Sequence, residues 1–206
     1  MPVLDHDATP PASWPTGVTF LTRSRLSPTF ERAHLPLLNE SSSYSAPSKA
    51  LAAKQPQTQP FPKDLIKIKK ITQEGHPAQG QLGLVALKRL EPKTKILSYL
   101  GVYHTRPHPE SDYDLSVVRT LSSEIGEEGP TTVDIALDAA RQGNAGRFVN
   151  DYRGIGRAPN CQFVDVVDSN GWKGMEVWTL EKGVNKGDEL LVSYGKGWWA
   201  GRQGGG

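Results

Sequence analysis

Hydrophobic and polar positions alternate in short runs along most of the chain after residue 64. In the segment 65–71, "LIKIKKI", Ile66 and Ile68 fall on one face and lysines occupy positions between and after them. This two-residue period is typical of a half-buried β-strand. Further runs of similar length, rich in leucine, β-branched and aromatic residues, predict strands at 82–90, 95–103, 132–139, 161–168, 174–180 and 188–195.

Turn-forming residues separate these runs, and only two segments suggest helices. The tripeptide Ser-Asn-Gly at 169–171 lies between two of the runs and predicts a β-hairpin. The segments 110–121, "ESDYDLSVVRTL", and 140–149, "ARQGNAGRFV", predict short helices. Strands this brief, without long helices between them, argue against a doubly wound parallel sheet. The predicted fold is therefore mostly β, with several small sheets and short helices.

The first 63 residues differ in composition from the rest. They contain ten of the 16 prolines, together with "NESSSYSAPSK" and "KQPQTQPFP", and few apolar residues in a helical or strand spacing. Such composition favours disorder. We therefore expect a disordered Pro/Ser/Gln-rich tail over 1–63, a folded domain over 64–196 that is long enough to bury a core, and an aromatic, then glycine-rich flank over 197–206.

Composition and simple motifs restrict the chemistry. The 24 basic and 22 acidic side chains give a net charge of +2, which does not indicate a nucleic-acid-binding surface. The single cysteine, Cys161, and five scattered histidines predict neither a disulfide nor a metal site. Phosphate-binding loops and the serine-hydrolase elbow are not found. No signal-peptide pattern or long apolar run is found, so we expect a soluble intracellular protein.

Four separated segments carry a more specific pattern. They are "GQLGLVAL" at 80–87, "SYLGVY" at 98–103, "DAARQGNAGRFVNDYRGIGRAPNC" at 138–161 and "NKGDELLVSYG" at 185–195. In this order and at these spacings they resemble motifs of the SET-domain family of protein lysine methyltransferases: the opening glycine-rich turn, the Tyr-x-Gly strand, the cofactor-binding run and the closing tyrosine strand. The resemblance covers about residues 65–196.

This resemblance implies a fold, an activity and partners. The SET fold has several small sheets and a pseudoknot-like threading of its C-terminal strand. The implied activity is protein-lysine N-methylation with S-adenosylmethionine and without a metal, on a protein substrate for which a histone tail is one candidate. A nuclear location is then favoured over a cytoplasmic one. The cysteine-rich zinc-binding segments that flank many SET domains have no counterpart here. A non-catalytic SET module that serves as an interaction scaffold stays open as an alternative.

The resemblance also implies roles for individual residues. The catalytic candidates are Tyr194 and Tyr99. The cofactor-binding candidates are Gln81, Leu82, Tyr113, Arg147, Asn150 and Asp151. The substrate-channel candidates are Tyr103, Trp198 and Trp199, with Tyr103 also the alternative to Tyr99 if the strand register differs.

Two of these positions depart from the family pattern. Gln81 stands where glycine is common, and Asp151 stands where histidine is usual. Backbone contacts to the cofactor can survive both changes, and the carboxylate of Asp151 would favour a cationic sulfonium. The segment "DYRGIGR" at 151–157 also lengthens the loop before "PNC".

Overall fold

The computed structural model describes residues 9–39, 55–106, 108, 110–126 and 129–195, with the backbone alone described for 122–126 and 129–131. The strands are β1 Thr19–Phe20, β2 Arg25–Leu26, β3 Ile66–Lys70, β4 Leu82–Ala86, β5 Lys95–Tyr99, β6 Val102–His104, β7 Asp114–Gly126, β8 Gly129–Asp138, β9 Gln142–Gly143, β10 Asn150–Asp151, β11 Cys161–Val167, β12 Lys173–Thr179 and β13 Leu191–Val192. The helical segments are the 3-10 turns Arg32–His34 and Ala145–Phe148 and the α-helix α1 Leu35–Leu38. None of the described helices is long and apolar enough to cross a membrane.

Small sheets make up most of the regular structure, which confirms the prediction of a mostly β protein. β3 and β4 form an antiparallel pair, β11, β12 and β5 a three-stranded sheet, and β2, β6, β8 and β7 a four-stranded one. Two parallel pairs, β1 with β9 and β10 with β13, complete the described sheets. On β3, Ile66 and Ile68 are buried and Lys67 and Lys69 are exposed, as the alternating pattern predicted.

Two clusters of buried side chains form the core. One contains Leu84, Val149 and Val192 and lies under the β3–β4 and β10–β13 pairs. The other surrounds Tyr99 and Leu137, beside the four-stranded sheet. Burial of these apolar side chains supplies the main favourable term for folding. The strands that carry the candidate site residues are therefore fixed on both sides by packed core.

The hairpin prediction is confirmed, and one helix prediction is wrong. β11 and β12 pair antiparallel across the turn at 169–171. Residues 114–121, predicted as part of a helix, belong instead to β7, which pairs with β8. The β-branched residues Val117, Val118 and Thr120 suit a strand, and the long partner strand decides the outcome. The second predicted helix holds only as the short 3-10 turn Ala145–Phe148.

The expected disorder of the N-terminal segment is wrong for its described residues, 9–39 and 55–63. β1 pairs with β9, β2 pairs with β6, and α1 buries Leu35 and Leu38. Trp14 packs edge-on against Phe20 and Phe148, with ring centroids 5.0 and 5.4 Å apart. Prolines do not prevent this packing, because edge strands as short as two residues need few backbone donors. In the range 55–63, Phe61 packs against the core and the Gln59 N–H donates to the Thr22 carbonyl at 2.6 Å. Residues 1–8 and 40–54 lie outside the described residues.

The C-terminal strand lies between two parts of one loop. β13 pairs with β10 on one side, and the Tyr152 N–H donates to the Val192 carbonyl at 2.9 Å. On the other side, the Asn160 N–H donates to the Leu191 carbonyl at 3.0 Å, and the Leu191 N–H donates to the Asn160 side chain at 2.8 Å. This arrangement is the threading that the resemblance implied, and it brings Tyr194 next to Asn150.

Candidate active site

One cavity brings together most of the predicted site residues. Its volume of about 330 Å³ is in the range of small-molecule sites, roughly 300–1,000 Å³. The predicted residues that line it are Gln81, Leu82, Tyr113, Arg147, Asn150, Asp151 and Tyr194. A second cavity of about 470 Å³ on the far side of Gly83 is lined by none of them. The first cavity is therefore the candidate active site.

Two positions in or just before β4 favour glycine for different reasons. Gly80 has a φ of 86°, a left-handed conformation that favours glycine. At Gly83, a Cβ would lie 2.6 Å from the Glu189 Oε1 and 3.2 Å from the Asn150 Nδ2. Gln81, which replaces the glycine common in the family, lies on the cavity wall without a close-approach requirement of this kind.

Asn150 presents one side-chain atom to the cavity. Its Nδ2 donates to the Leu82 carbonyl at 3.3 Å and to the Glu189 Oε1 at 2.7 Å. Because both partners are acceptors, the amide nitrogen and not the oxygen must face them. Within the described part of the chain no donor is bonded to the Asn150 Oδ1, so this oxygen is available to a ligand N–H.

Asp151 is buried and bonded within the protein. Its Oδ2 accepts from the Tyr194 N–H at 2.7 Å and from the Arg153 Nη1 at 3.0 Å. Its Oδ1 accepts from the Arg153 N–H at 2.8 Å. The carboxylate that replaces the usual histidine thus ties the start of the long loop to the strand end that carries Tyr194. The role of Asp151 at the cofactor stays a prediction.

The Tyr194 hydroxyl is held over the site by a backbone contact. It donates to the Val149 carbonyl at 2.7 Å. Burial raises the pKa of Tyr194, and the nearby carboxylate of Asp151 raises it further. The hydroxyl therefore keeps its proton across the physiological pH range, and it can orient a ligand without adding negative charge.

Tyr113 and Arg147 form the wall opposite β4. The Arg147 guanidinium lies 4.2 Å from the centroid of the Tyr113 ring, a cation–π contact. It also donates to the Ala139 carbonyl at 2.9 Å and the Ala140 carbonyl at 3.1 Å. The contacts of Arg147 with described residues include no carboxylate. Arg147 therefore supports the ring that lines the cavity.

The two tyrosines of the "SYLGVY" segment separate in the structure. The chain turns between β5 and β6 at Gly101, where a Cβ would lie 2.6 Å from the Asp138 carbonyl oxygen. Tyr99 and Tyr103 therefore lie in different sheets, and the expectation of one regular strand over 95–103 is wrong. Both line a separate cavity of about 190 Å³.

Tyr99 links this 190 Å³ cavity to the candidate active site. Its hydroxyl donates to the Tyr113 carbonyl at 2.7 Å, and burial raises its pKa well above the usual value. Tyr103 instead donates to the Lys173 carbonyl at 2.8 Å and stacks on Trp172. Tyr99 is therefore the better placed of the two for the role predicted from sequence. Trp198 and Trp199 lie outside the described residues.

Sequence reasoning missed part of the cavity wall. The remaining lining residues are Pro15, Pro77, Ala78, Asp112, Phe148, Arg153 and Ile155. Pro15 belongs to the segment predicted to be disordered, in which the β-favouring run Val18–Leu21, "VTFL", was the available signal for a strand. The others lie within four residues of predicted site residues in the chain, where no pattern distinguishes wall residues from their neighbours.

Cys161 is not a reactive thiol in this fold. Cys161 is 1% exposed, and burial raises the pKa of its thiol to about 12. Since the thiolate is the nucleophilic form, this cysteine is a packing residue at the start of β11.

A histidine pair outside the cavity deserves comparison with metal sites. His104, His108 and Asp114 place ligand-type atoms within 4.8 Å of one another. The two imidazoles, however, stack with their centroids 3.9 Å apart and their planes at 6°. A metal ion lies near the plane of each imidazole that binds it, so parallel stacked rings do not point at a common ion. Each ring is instead hydrogen-bonded to a carboxylate, His104 to Asp114 and His108 to Asp138.

The contacts of His104 make the stability of the folded protein depend on pH. Its Nδ1 lies 2.5 Å from the Arg106 carbonyl oxygen and its Nε2 lies 2.8 Å from the Asp114 Oδ1. Only an imidazolium can donate to both acceptors. Burial lowers the pKa of His104, but the hydrogen bond and charge of Asp114 outweigh it, and the pKa is raised above 6.5. The stabilisation is full below pH 6.5 and is lost as pH rises through the folded-state pKa.

We therefore expect the melting temperature of the wild-type chain to fall, as pH rises through that range, more than that of the Asp114→Asn variant. An NMR titration of His104 should give a pKa above 6.5. Identical pH profiles for the two proteins would contradict this account.

The comparison with known families decides the identity of the fold. The profile of the family described as "SET domain" matches residues 81–195, more than half of the chain. The chain belongs to the SET-domain family. The matched range contains Gln81, Tyr113, Asn150 and Tyr194, and it confirms the family that the four segments had indicated. A search of curated proteins finds no match.

A search of solved structures finds chains similar to this one. ATXR5 in complex with mono-methylated histone H3.1 has a TM-score of 0.53 and 13% identity, over 86% of this chain and 81% of that one. Apo ctPRC2 with two substitutions in Ezh2 has a TM-score of 0.41 and 25% identity, over 63% of this chain. Chaetomium thermophilum Polycomb Repressive Complex 2 bound to GSK126 has a TM-score of 0.43 and 23% identity, over 64% of this chain. The present chain spans only 15% and 16% of the length of the latter two chains.

Proposed function

We propose that the protein is an S-adenosylmethionine-dependent protein-lysine N-methyltransferase. The observation that carries this proposal is the single cavity lined by Leu82, Tyr113, Asn150 and Tyr194, in a chain of the SET-domain family. Members of this family are typically lysine methyltransferases, and these side chains are the ones that the family pattern assigns to cofactor and catalysis.

The polar and apolar residues that line the cavity fit this cofactor. The Asn150 Oδ1 is available to the ammonium of an amino-acid group. The cavity is also lined by Asp112 and by Arg147 and Arg153, so it offers charges of both signs to a ligand that has an ammonium, a sulfonium and a carboxylate. Apolar walls from Leu82, Phe148 and other residues suit the uncharged part of the molecule. S-adenosylmethionine would supply an electrophilic methyl carbon, to which the lysine nitrogen bonds as the carbon–sulfur bond breaks with its electron pair kept by sulfur.

The protein's own contribution is orientation and the choice of the neutral amine. A free lysine has a pKa of about 10.4, so its deprotonation near pH 7 costs roughly 4–5 kcal/mol. An apolar channel lowers this cost because it disfavours the ammonium form. The Tyr194 hydroxyl, fixed on the Val149 carbonyl, restricts the position of the amine and so reduces the entropic part of the barrier.

The cavity of about 190 Å³ lined by Tyr99 and Tyr103 is the proposed approach for the substrate lysine. Tyr99 lines it and reaches the Tyr113 carbonyl beside the cofactor cavity. Tyr99 thus forms the wall between the two sites, as a residue of a lysine channel would. Asp168 and Glu176 also line this cavity. Glu176 is paired with Lys95, whereas Asp168 accepts from neutral backbone N–H groups, so the Asp168 carboxylate favours a positively charged peptide segment. A histone tail has this character, and a histone substrate would place the protein in the nucleus.

The function is tested by supplying labelled S-adenosylmethionine to the purified protein with histones and, separately, with lysate proteins. We expect label on lysine Nζ of at least one protein, and its identity gives the substrate class. Cofactor binding without transfer to any protein would favour the scaffold alternative. The absence of both cofactor binding and methyl transfer would overturn the proposal.

A further inference from the structure

A buried histidine outside the matched family range is bonded to the cofactor site. We propose that His76 is a positioning residue: acting through Glu189, it holds the Asn150 carboxamide so that Oδ1 faces the ligand. This inference rests on the proposed function. The SET profile begins at residue 81, so the family match covers Glu189 and Asn150 but not His76.

The hydrogen bonds of His76 fix its tautomer. Its side chain is 2% exposed. The Ala78 N–H donates to the His76 Nδ1 at 3.0 Å, and because a backbone N–H can only donate, Nδ1 carries the lone pair. The proton is therefore on Nε2, which donates to the Glu189 Oε2 at 3.1 Å. The neutral ring satisfies both of its nitrogens and directs one donor at a carboxylate.

Glu189 passes this constraint to Asn150. Its two carboxylate oxygens are divided between the partners: Oε2 accepts from His76, and Oε1 accepts from the Asn150 Nδ2 at 2.7 Å. A carboxylate held at one oxygen cannot rotate freely, so its other oxygen stays in place for Asn150. Gly83 leaves the space that this pair occupies, since a Cβ there would lie 2.6 Å from Oε1.

The same ring also anchors part of the cavity wall. Pro77 and Ala78 line the cavity, and Ala78 is bonded to the His76 Nδ1. The Gln79 N–H donates to the His76 carbonyl at 2.9 Å. His76 therefore has two separable contacts, one to the wall through Nδ1 and one to Glu189 through Nε2. Only the second carries the proposed orientation of Asn150.

A pair of amide substitutions separates these two contacts. In His76→Gln, the longer side chain can place its amide nitrogen near the Nε2 position and keep the donor to Glu189. In His76→Asn, the shorter side chain can place its amide oxygen near the Nδ1 position and keep the acceptor for Ala78. Each variant thus preserves the contact that the other loses. Thermal unfolding of both checks that they fold.

The proposal predicts different effects on the cofactor for the two variants. His76→Asn should raise the S-adenosylhomocysteine Kd and the S-adenosylmethionine KM by roughly 10-fold, the size expected for one hydrogen bond to a charged group. The kcat at saturating cofactor should stay near the wild-type value, because the loss falls on binding. His76→Gln should bind nearly as the wild type does. NMR signals of the Asn150 carboxamide should shift in His76→Asn and not in His76→Gln.

Two results would overturn the proposal. One is wild-type affinity in His76→Asn, and the other is loss of affinity in His76→Gln alone, which would assign the effect to the wall contact. If the wild-type chain binds no cofactor, the proposed function fails. The Asn150 carboxamide signals then still decide whether His76 orients that side chain.

Discussion

Tyr194→Phe is expected to lower the kcat of methyl transfer by roughly 100-fold, the cost of a misplaced reacting group. The substitution removes the hydroxyl that donates to the Val149 carbonyl at 2.7 Å and keeps the aromatic ring. Cofactor affinity should change little, because the ring still closes the cavity wall. Single-turnover kinetics at saturating cofactor measure the effect on the chemical step.

Tyr152→Phe is the matched control for this experiment. Tyr152 lies two residues from Asn150 and its ring packs under Arg153, but it does not line the cavity. Its kcat should stay near the wild-type value. An unchanged kcat in Tyr194→Phe would remove Tyr194 from the proposed machinery, whereas an equal loss in both variants would point to a general effect of losing a tyrosine hydroxyl.

Asn150→Ala is expected to raise the Kd for S-adenosylmethionine by roughly 10- to 100-fold, and so to reduce methyl transfer at low cofactor concentration. The variant loses Oδ1, the atom available to the ligand ammonium, and a hydrogen bond to a charged group contributes about 1.5–3 kcal/mol. It also leaves the Leu82 carbonyl and the Glu189 carboxylate without this donor. Equilibrium dialysis with labelled cofactor measures the change.

Two further variants make the Asn150 result specific. Asn150→Asp keeps the shape but turns the amide donor into a second carboxylate against Glu189, so its loss of affinity should be at least as large. Asn185→Ala changes an exposed asparagine that is bonded to Arg89 and Asp188, and it should bind as the wild type does. Equal binding by wild type and Asn150→Ala would mean that the cofactor lies elsewhere.

The sequence predicted the β framework well because strand patterning is local. The alternation at Ile66 and Ile68 and the Ser-Asn-Gly turn each depend on a few adjacent residues, and both appear in the structure. The four family motifs similarly predicted which residues would meet: Leu82 lies on β4, Asn150 on β10 and Tyr194 two residues after β13, and the cavity brings them together.

The errors arose where distant pairing decides the local structure. The segment from Asp114 onward has an ambiguous period, and its pairing with β8 makes it a strand. Residues 9–39 have a composition typical of disorder, yet Trp14 and Phe20 find partners near Phe148. Composition counts the prolines but does not show the apolar surface that the rest of the chain offers to these aromatic rings.

The role of Asp151, which replaces the usual histidine, also could not be predicted without the structure. From sequence, a carboxylate at a usual histidine position suggested an effect on the cationic cofactor. In the fold, the carboxylate accepts from the Tyr194 N–H at 2.7 Å and pairs with Arg153. The long "DYRGIGR" loop thus supplies, in Arg153, the partner that makes a buried carboxylate acceptable here. Bonds of this kind depend on side-chain placement, which spacing along the chain does not give.

The most direct test of the central claim is a calorimetric titration of the wild-type chain with S-adenosylhomocysteine, the product form of the cofactor. The account predicts saturable binding of one molecule per chain, with a negative heat-capacity change from burial of apolar surface, and a weakened signal in Asn150→Ala. No binding by the wild-type chain, or binding of equal strength after Asn150→Ala, would contradict the assignment of this cavity as a methyl-donor site.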